Sequence, residues 1–173
     1  QNLFYDETWH VPLIVYDGET SGVHDEMVGH SDVSPTIATW AGVETLPEEW
    51  WGTPLQPLLD GRSADWDREG VRGSWRDLSV SNGPRRLAYR TARWKYIYDE
   101  VYDTERLFDL REDPEEHHDL LADESEEPPA VLSEFREVIE QFEADIESTA
   151  VDVEDVEMDE DVKERLRRLG YAE

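Results

Sequence analysis

The 173-residue chain contains no cysteine and only two lysines, Lys95 and Lys163. The absence of cysteine excludes disulfides, thiolate metal sites and cysteine nucleophiles within the chain. No apolar run approaches the roughly 18 residues that a membrane-spanning helix needs, and no signal-peptide pattern is visible. We therefore expect neither a membrane span nor cysteine chemistry from these residues.

Acidic residues outnumber basic ones by 44 to 16, which gives a formal net charge of −28. Self-repulsion of this size destabilises a compact state, but in molar salt the Debye length falls to roughly 3 Å and most of the repulsion disappears. Because the acid is spread along the chain, we predict a cytoplasmic protein of a salt-rich, halophilic interior. The alternative is an ordinary acidic protein with an acidic tail. The lack of a basic patch argues against a nucleic-acid partner.

Four short strand-like runs follow one another in the middle of the chain. Their aromatic and β-branched residues alternate with polar ones, and short polar links join them, which is typical of an antiparallel meander. They cover residues 70–75, 86–90, 94–98 and 105–110. A stripe of apolar residues at intervals of three and four then predicts a helix near residues 130–147, which would cover one face of the sheet.

The remaining segments predict simpler elements. Residues 11–16 (VPLIVY) form a continuous apolar run bounded by Pro12 and by Asp17-Gly18, the signature of a buried strand. Short helices are predicted at 35–41 and 54–59, and residues 148–173 form an acidic tail with a short helix. The fold class is therefore α+β: a small four-stranded antiparallel sheet packed against a long C-terminal helix, in a subdomain of residues 63–147.

The densest group of metal-ligating side chains lies in the acidic turn after the fourth strand. It comprises Asp113, Glu115, Glu116, His117 and His118. A surface cation is one interpretation, but nothing in the spacing fixes a coordination geometry. We favour a solvated turn.

Three further features carry weaker signals. His24 and His30 stand six residues apart without a third regularly spaced ligand, so a loop is favoured over a metal site. Asp32 is placed to cap a helix, which is favoured over a catalytic carboxylate. Trp50 and Trp51 are interpreted as lid packing, with a ligand-stacking platform as the alternative if the pair lies beside a pocket.

Five blocks of the sequence resemble the C-terminal part of the sulfatase family, within the alkaline-phosphatase-like superfamily. They are HVPLIVYD, HSDVSPTIATWAGV, TPLQPLLDG, ARWKYIY and ERLFDLREDPEEHHDL, in the order that the family has them. The segment VKERLRRLGY also resembles a common sulfatase tail. Asp119 and Phe108 depart from the family pattern, which usually has Asn and Tyr there. The resemblance implies that residues 1–62 are the end of an alkaline-phosphatase-like α/β domain.

The resemblance also implies a reaction whose central groups this chain lacks. Sulfatases hydrolyse sulfate esters with a formylglycine, made in a C/S-x-P-x-R motif, and a bound Ca²⁺ or Mg²⁺. Neither that motif nor the family's metal aspartates occurs in the chain. We therefore predict no catalytic and no metal-binding residue here. Gln1, which stands where many members have Lys, together with Tyr5 and His10, is predicted to lie near the substrate.

We thus expect the C-terminal portion of a sulfatase-like hydrolase, inactive alone and completed by an N-terminal catalytic part. Its substrate would be a sulfate-ester small molecule or glycan. The start of the chain at Gln1, almost directly in strand-like sequence, fits a piece of a longer protein. Two alternatives remain: a non-catalytic remnant or interaction module, and a part of a related phosphoesterase.

Overall fold

The centre of the fold is a four-stranded antiparallel sheet in the order β1-β2-β3-β4. The computed structural model describes residues 4–16, 18, 21–76, 83–123 and 127–149. The strands span Gly70–Arg76 (β1), Arg85–Thr91 (β2), Trp94–Asp99 (β3) and Thr104–Asp109 (β4). The predicted meander is confirmed, with each strand within two residues of its expected bounds.

One face of the sheet is covered by a long helix, α4, which spans Val131–Thr149. The helix predicted at 130–147 is therefore confirmed. Its apolar stripe packs on side chains that alternate along the strands, and the Tyr89 and Phe135 rings meet edge to face at 5.0 Å. The buried residues of this core are Leu87, Tyr89, Tyr96, Leu107, Leu132, Phe135, Ile139 and Phe142.

The opposite face is covered by the N-terminal segment, which the sequence analysis did not assign to the sheet. A short helix, α1 (Asp6–Trp9), lies here with Phe4. β1 allows this close approach because it carries Gly73: a Cβ atom there would lie 2.7 Å from Trp9 Cζ2 and 2.8 Å from Phe4 Cε1. The sheet is thus enclosed on both faces, by residues from the two ends of the described chain.

Along the chain, two short helices lie between α1 and β1. Helix α2 spans Val33–Trp40, against the predicted 35–41, and α3 spans Gln56–Leu59, against the predicted 54–59. Single 3₁₀ turns occur at His30–Asp32 and Ser63–Asp65. These elements leave several large apolar side chains exposed, including Ile37 at 57% and Trp40 at 51%.

The prediction of a buried strand at residues 11–16 is wrong. The segment belongs to no strand or helix, and Ile14 and Tyr16 are 88% and 91% exposed. An apolar run of this kind is typical of a buried strand, but a strand also needs a neighbour to complete its hydrogen bonds. In the described ranges the one sheet consists of β1 to β4, and none of these strands pairs with this segment. Gln1 and the predicted short helix in the tail lie outside the described residues.

Candidate functional site

An open cleft of about 780 Å³ lies beside β1, between the N-terminal segment and the loop before α2. Its walls are formed by residues 9–13, residues 24–31, part of β1, Trp51 and the ring of Phe142 from α4. The volume falls within the roughly 300–1,000 Å³ that is usual for small-molecule sites. This cleft is the candidate site because it brings together side chains that the sequence analysis had considered separately.

The lining of the cleft has a charge balance unlike that of the whole chain. Its basic groups include three of the five histidines, and its acidic groups are two carboxylates. The charged and imidazole residues of the lining are His10, His24, His30, Arg68, Arg72, Arg90, Asp25 and Glu26. Each of the three arginines is already paired with a carboxylate, namely Asp32, Asp145 and Asp6, so the cleft has no excess of positive charge.

Where α1 packs on the sheet, four charged side chains form a network that we call the ion quartet: Asp6, Arg90, Lys95 and Glu116. The Lys95 ammonium is fully buried and contacts both the Asp6 carboxylate and Glu116 Oε1, the latter at 2.6 Å. Arg90 donates to Asp6 at 2.8 Å. The Asp6 backbone N–H donates to Glu116 Oε2 at 2.6 Å. Two cations therefore face two anions, and the quartet joins α1 to the sheet and to the acidic turn.

The quartet keeps Asp6 ionised. Burial alone would raise the pKa of Asp6. The hydrogen bonds and positive charges of Arg90 and Lys95 together outweigh burial, so the pKa lies below its usual value. His10 follows α1, and its Nδ1 lies 3.6 Å from the Asp6 carboxylate. His10 therefore lies in the cleft wall near a carboxylate that the sheet holds in place.

The acidic turn is only partly the solvated turn that we predicted. Glu115 and His117 are exposed, but Glu116 points inward, is 5% exposed and adopts a φ of 56°, a conformation uncommon for a residue other than glycine. Its contacts in the quartet hold it there. Asp113 instead accepts the His118 backbone N–H at 2.7 Å, which lowers the pKa of Asp113. In the part of the chain that the structure describes, no three His, Asp or Glu side chains converge as metal ligands.

Two of the three predicted substrate-side residues are described, and they lie in different places. His10 lines the cleft with 68% of its side chain exposed. Tyr5 packs on the ring of Phe108 at 5.5 Å, and its hydroxyl accepts a hydrogen bond from Arg106 at 3.1 Å. Proximity of either residue to a substrate stays a prediction, as does that of Gln1.

Asp32 is a structural residue that joins three segments. It is fully buried and accepts the backbone N–H groups of Gly29 and Thr53, at 2.7 and 2.8 Å. Arg68 donates to both of its oxygens, at 2.5 and 2.7 Å. The prediction that the Asp32 side chain caps the helix at 35–41 is wrong: it makes no capping hydrogen bond to α2, and its oxygen instead accepts the Gly29 N–H of the preceding 3₁₀ turn.

The two neighbouring tryptophans differ in their surroundings. Trp51 lines the cleft and meets Phe142 edge to face, with ring centroids 5.4 Å apart. Trp50 has the same exposure, 41%, but does not line the cleft. Trp51 therefore meets the condition that we set for a stacking platform, a position beside a pocket.

The sequence analysis missed the ion quartet. One signal was present in the sequence. Lys95 and the apolar Ile97 are two residues apart on β3, so their side chains point to the same covered face of the sheet. A lysine at such a position needs a buried acid as a partner. Its partners come from 89 positions earlier in the chain and from the turn after β4, which local patterns do not connect.

Known proteins similar to this chain are sulfatases. The family model described as "N-sulphoglucosamine sulphohydrolase, C-terminal" matches residues 1–163. A choline-sulfatase of Rhizobium meliloti is 32% identical over 78% of this chain and 26% of its own length. A Δ4,5-hexuronate-2-O-sulfatase of Bacteroides thetaiotaomicron is 27% identical over 97% of this chain and 35% of its own length. The chain thus spans about a quarter to a third of the curated relatives that it matches.

Solved structures agree with these sequence matches. A 2-O GAG sulfatase superposes with a TM-score of 0.54, at 26% identity, over 70% of this chain and 26% of its own. A protein solved with its substrate D-glucosamine-2-N,6-O-disulfate superposes equally well at 22% identity, which supports the fold alone. The resemblance stated from the five sequence blocks is confirmed. The chain belongs to the sulfatase family and corresponds to its C-terminal part.

Proposed function

We propose that the chain is the C-terminal portion of a sulfatase-like hydrolase, which cleaves sulfate esters by a metal-assisted formylglycine mechanism when the enzyme is complete. One observation carries the proposal: the family match extends over residues 1–163, whereas the curated relatives are about three times as long as this chain. The chain contains no C/S-x-P-x-R sequence from which a formylglycine is made. The nucleophile therefore has to come from an N-terminal catalytic part.

The contribution of this chain would be to form one wall of the substrate cleft. The ion quartet fixes α1 on the sheet, and α1 leads directly to His10 in the cleft wall. The exposed apolar segment 11–16 is a suitable edge for the N-terminal part, because burying it would remove large apolar surface from water. A sulfated sugar is the proposed substrate class, since two relatives are named for 2-O-sulfatase activity, one on hexuronate and one on GAG.

The Ca²⁺ or Mg²⁺ of the mechanism would bind to the N-terminal part. Hard cations of this kind need several converging oxygen ligands. The described residues offer no such convergence, and the two carboxylates of the quartet are already paired with arginine and lysine.

A cytoplasmic location in a salt-rich cell is part of the proposal, and it is supported by the net charge of −28. Among the described residues, no helix is both long and apolar enough to cross a membrane.

The test compares this chain alone with the same chain joined to its N-terminal part, on an aryl sulfate and on an aryl phosphate. We expect no turnover by the chain alone above a heat-killed control, because the nucleophile is absent. The joined protein should hydrolyse the sulfate. Replacing the Cys or Ser of its C/S-x-P-x-R motif by Ala should abolish that activity.

Three outcomes would contradict the proposal. Sulfate turnover by the chain alone would place the nucleophile within these 173 residues. Turnover of phosphate alone by a joined protein that lacks the motif would favour a related phosphoesterase. A joined protein that is folded, carries formylglycine and is inactive on all sulfate esters would favour a non-catalytic module.

A further inference from the structure

The cleft beside β1 has an apolar lining that the described residues leave partly open to solvent. The large apolar side chains of this lining include Trp9, Val11, Leu13, Trp51 and Phe142. Val11 is 47% exposed, and Leu13 and Trp51 are each 41% exposed. Large apolar side chains that stay exposed together in a concave surface mark an interaction site.

This lining is distinct from the most exposed part of segment 11–16. Ile14 and Tyr16 have the highest exposure in the segment, 88% and 91%, and neither lines the cleft. The outer half of the segment is therefore still available to the N-terminal part when the cleft is occupied. The cleft needs an occupant of its own.

The charge that remains unpaired in the cleft is negative. Its three arginines each face a carboxylate, in the pairs Arg68 with Asp32, Arg72 with Asp145 and Arg90 with Asp6. Asp25 and Glu26 also belong to the lining, and in the described part of the chain neither forms an ion pair with arginine or lysine. Imidazoles are mostly neutral above about pH 7.5, so the histidines of the cleft do not offset these two carboxylates there. A suitable occupant would have both an apolar face and positive charge.

The end of this chain has that combination. Residues 163–168 contain four of the 16 basic residues and one acidic residue, in a chain whose net charge is −28. Val162, Leu166 and Leu169 are separated by four and three residues, so in the predicted tail helix they share one side, which we call the tail face. The segment is thus predicted to be apolar on one side and basic on the other.

Helix α4 brings the chain to the cleft just before this segment. Phe142 lines the cleft, and Asp145 pairs with Arg72 of its wall at 3.4 Å. Helix α4 ends at Thr149, about 6 Å beyond Asp145 at 1.5 Å per residue. Residues 150–161 then lead to the tail face, and a stretch of this length can span up to about 40 Å. A tether of this kind keeps the segment at a high effective concentration beside the cleft.

We propose that residues 162–169 dock in the cleft as an amphipathic helix, with the tail face on the apolar lining and the basic side chains beside Asp25 and Glu26. The body of a second copy would bring another strongly acidic surface, which repulsion disfavours. The docked segment would add cations to a cleft whose own arginines are all paired. The proposal concerns contacts within this chain and does not rest on the proposed function.

The experiment is chemical cross-linking of the 173-residue chain, which has no cysteine of its own to react. Tyr171→Cys places one thiol just beyond the tail face, and His24→Cys places the other in the cleft wall. A short bismaleimide should join this pair within one chain severalfold more often than it joins Tyr171→Cys to Ile37→Cys. Ile37 is 57% exposed, more than the 35% of the His24 side chain, but it lies outside the cleft. This second pair therefore measures random encounter.

Matched variants in the His24 pair test the tail face. Leu166→Asp puts a charge on the tail face and should lower the cross-link to the level of the Ile37 pair. Arg168→Asp puts the same side chain on the polar side of the predicted helix and should retain most of the cross-link. Attraction by charge alone would give the reverse order, because Arg168→Asp changes the net charge by two and Leu166→Asp by one. Neither residue belongs to the sheet or to α4, and circular dichroism checks that both variants keep the fold.

Salt provides an independent check of seating. The cross-link of the His24 pair should persist in about 1 M potassium chloride, where the Debye length is roughly 3 Å, because apolar burial is not screened. Loss of the cross-link at that salt concentration would overturn the proposal, as would equal cross-linking of the His24 and Ile37 pairs or the reverse order of the two variants.

Two further results would assign the cleft to another occupant and reject the proposal. A cross-linked product that elutes as a dimer in size-exclusion chromatography would assign it to a second copy of the chain. A cross-link that forms in this chain but disappears when the N-terminal part is joined would assign it to that part. None of these readings depends on turnover, so the proposed function stands or falls separately.

Discussion

Lys95 is one of two lysines in the chain, and its side chain has no exposure to solvent. Taking an ammonium out of water costs several kcal/mol unless charges and hydrogen bonds offset it. Asp6 and Glu116 supply those charges, and the indole of Trp9 lies 5.7 Å from Nζ. One residue thereby links β3, α1 and the acidic turn.

Replacing Lys95 by Met should lower the free energy of unfolding by about 3–5 kcal/mol, the usual effect of removing one partner from a buried ion pair. The substitution leaves Glu116 buried without a cation, while Asp6 retains Arg90. Urea denaturation at constant salt measures the change. Hydrogen exchange at residues 6–10 should increase by more than exchange in β2.

The double variant Lys95→Met with Glu116→Gln separates charge balance from packing. It removes one cation and one anion together, and the amide oxygen of Gln can still accept the Asp6 N–H. We expect part of the lost stability to return. Arg62→Met, at an exposed surface pair, should have a far smaller effect than Lys95→Met. A double variant less stable than Lys95→Met alone would show that charge balance is not what holds the quartet.

At the residue scale, the sequence predicted those roles that depend on near neighbours. The place of Asp32 before an apolar, Pro-containing segment correctly predicted a structural carboxylate, but its oxygens accept from Gly29, Thr53 and Arg68 and do not cap α2. The inward turn of Glu116 could not be predicted, because its partners Asp6 and Lys95 are distant in the chain. The same reason explains why the acidic turn was interpreted as entirely solvated.

At the scale of elements, β1 shows why a glycine-containing strand is retained at the edge of the sheet. Glycine is a poor strand former, yet β1 contains Gly70 and Gly73. A Cβ at Gly70 would lie 2.6 Å from the Arg90 carbonyl oxygen, and one at Gly73 would meet Phe4 and the Trp9 ring. The glycines allow α1 and β2 to pack closely against this strand.

We predict that Gly73→Ala lowers the free energy of unfolding by about 1–3 kcal/mol, the usual effect of overpacking. The new methyl group would push Phe4 and Trp9 away from the sheet and so displace the start of the cleft wall. Urea denaturation of both forms measures this. The control is Gly22→Ala, whose Cβ would meet only His24 Nε2, at an ordinary 3.7 Å. A Gly73→Ala protein as stable as the control would contradict the assigned packing role.

An element could be predicted where its hydrophobic pattern was clear and the element that it pairs with or packs on was close in the chain. The four strands are consecutive and pair with their chain neighbours, and α4 carries its stripe towards the sheet that precedes it. The apolar run 11–16 has the pattern without a pairing strand in the described chain, so its prediction as a strand failed. The second cover of the sheet, by α1, was missed because four residues are too few for helical periodicity to show.

For the whole molecule, charge is the dominant property. Arginines of the sheet hold the acidic helix α4: Arg72 pairs with Asp145, and Arg85 lies 3.7 and 3.5 Å from Glu143 and Glu147. On β4, Glu105 receives hydrogen bonds from Arg136, which lower its pKa. These contacts neutralise a few of the 44 acidic residues, so long-range repulsion among the others persists.

We therefore predict that stability increases with potassium chloride concentration, the opposite of a protein held mainly by surface ion pairs. Raising the salt from about 0.1 M to about 1 M shortens the Debye length from roughly 10 Å to roughly 3 Å, which screens the repulsion of a chain with charge −28. The measurement is the urea midpoint along a salt series, with sucrose as a control that stabilises by exclusion and does not screen charge. Most of the gain should occur below about 1 M. A midpoint that is flat or falls with salt would reject adaptation to a salt-rich cytoplasm.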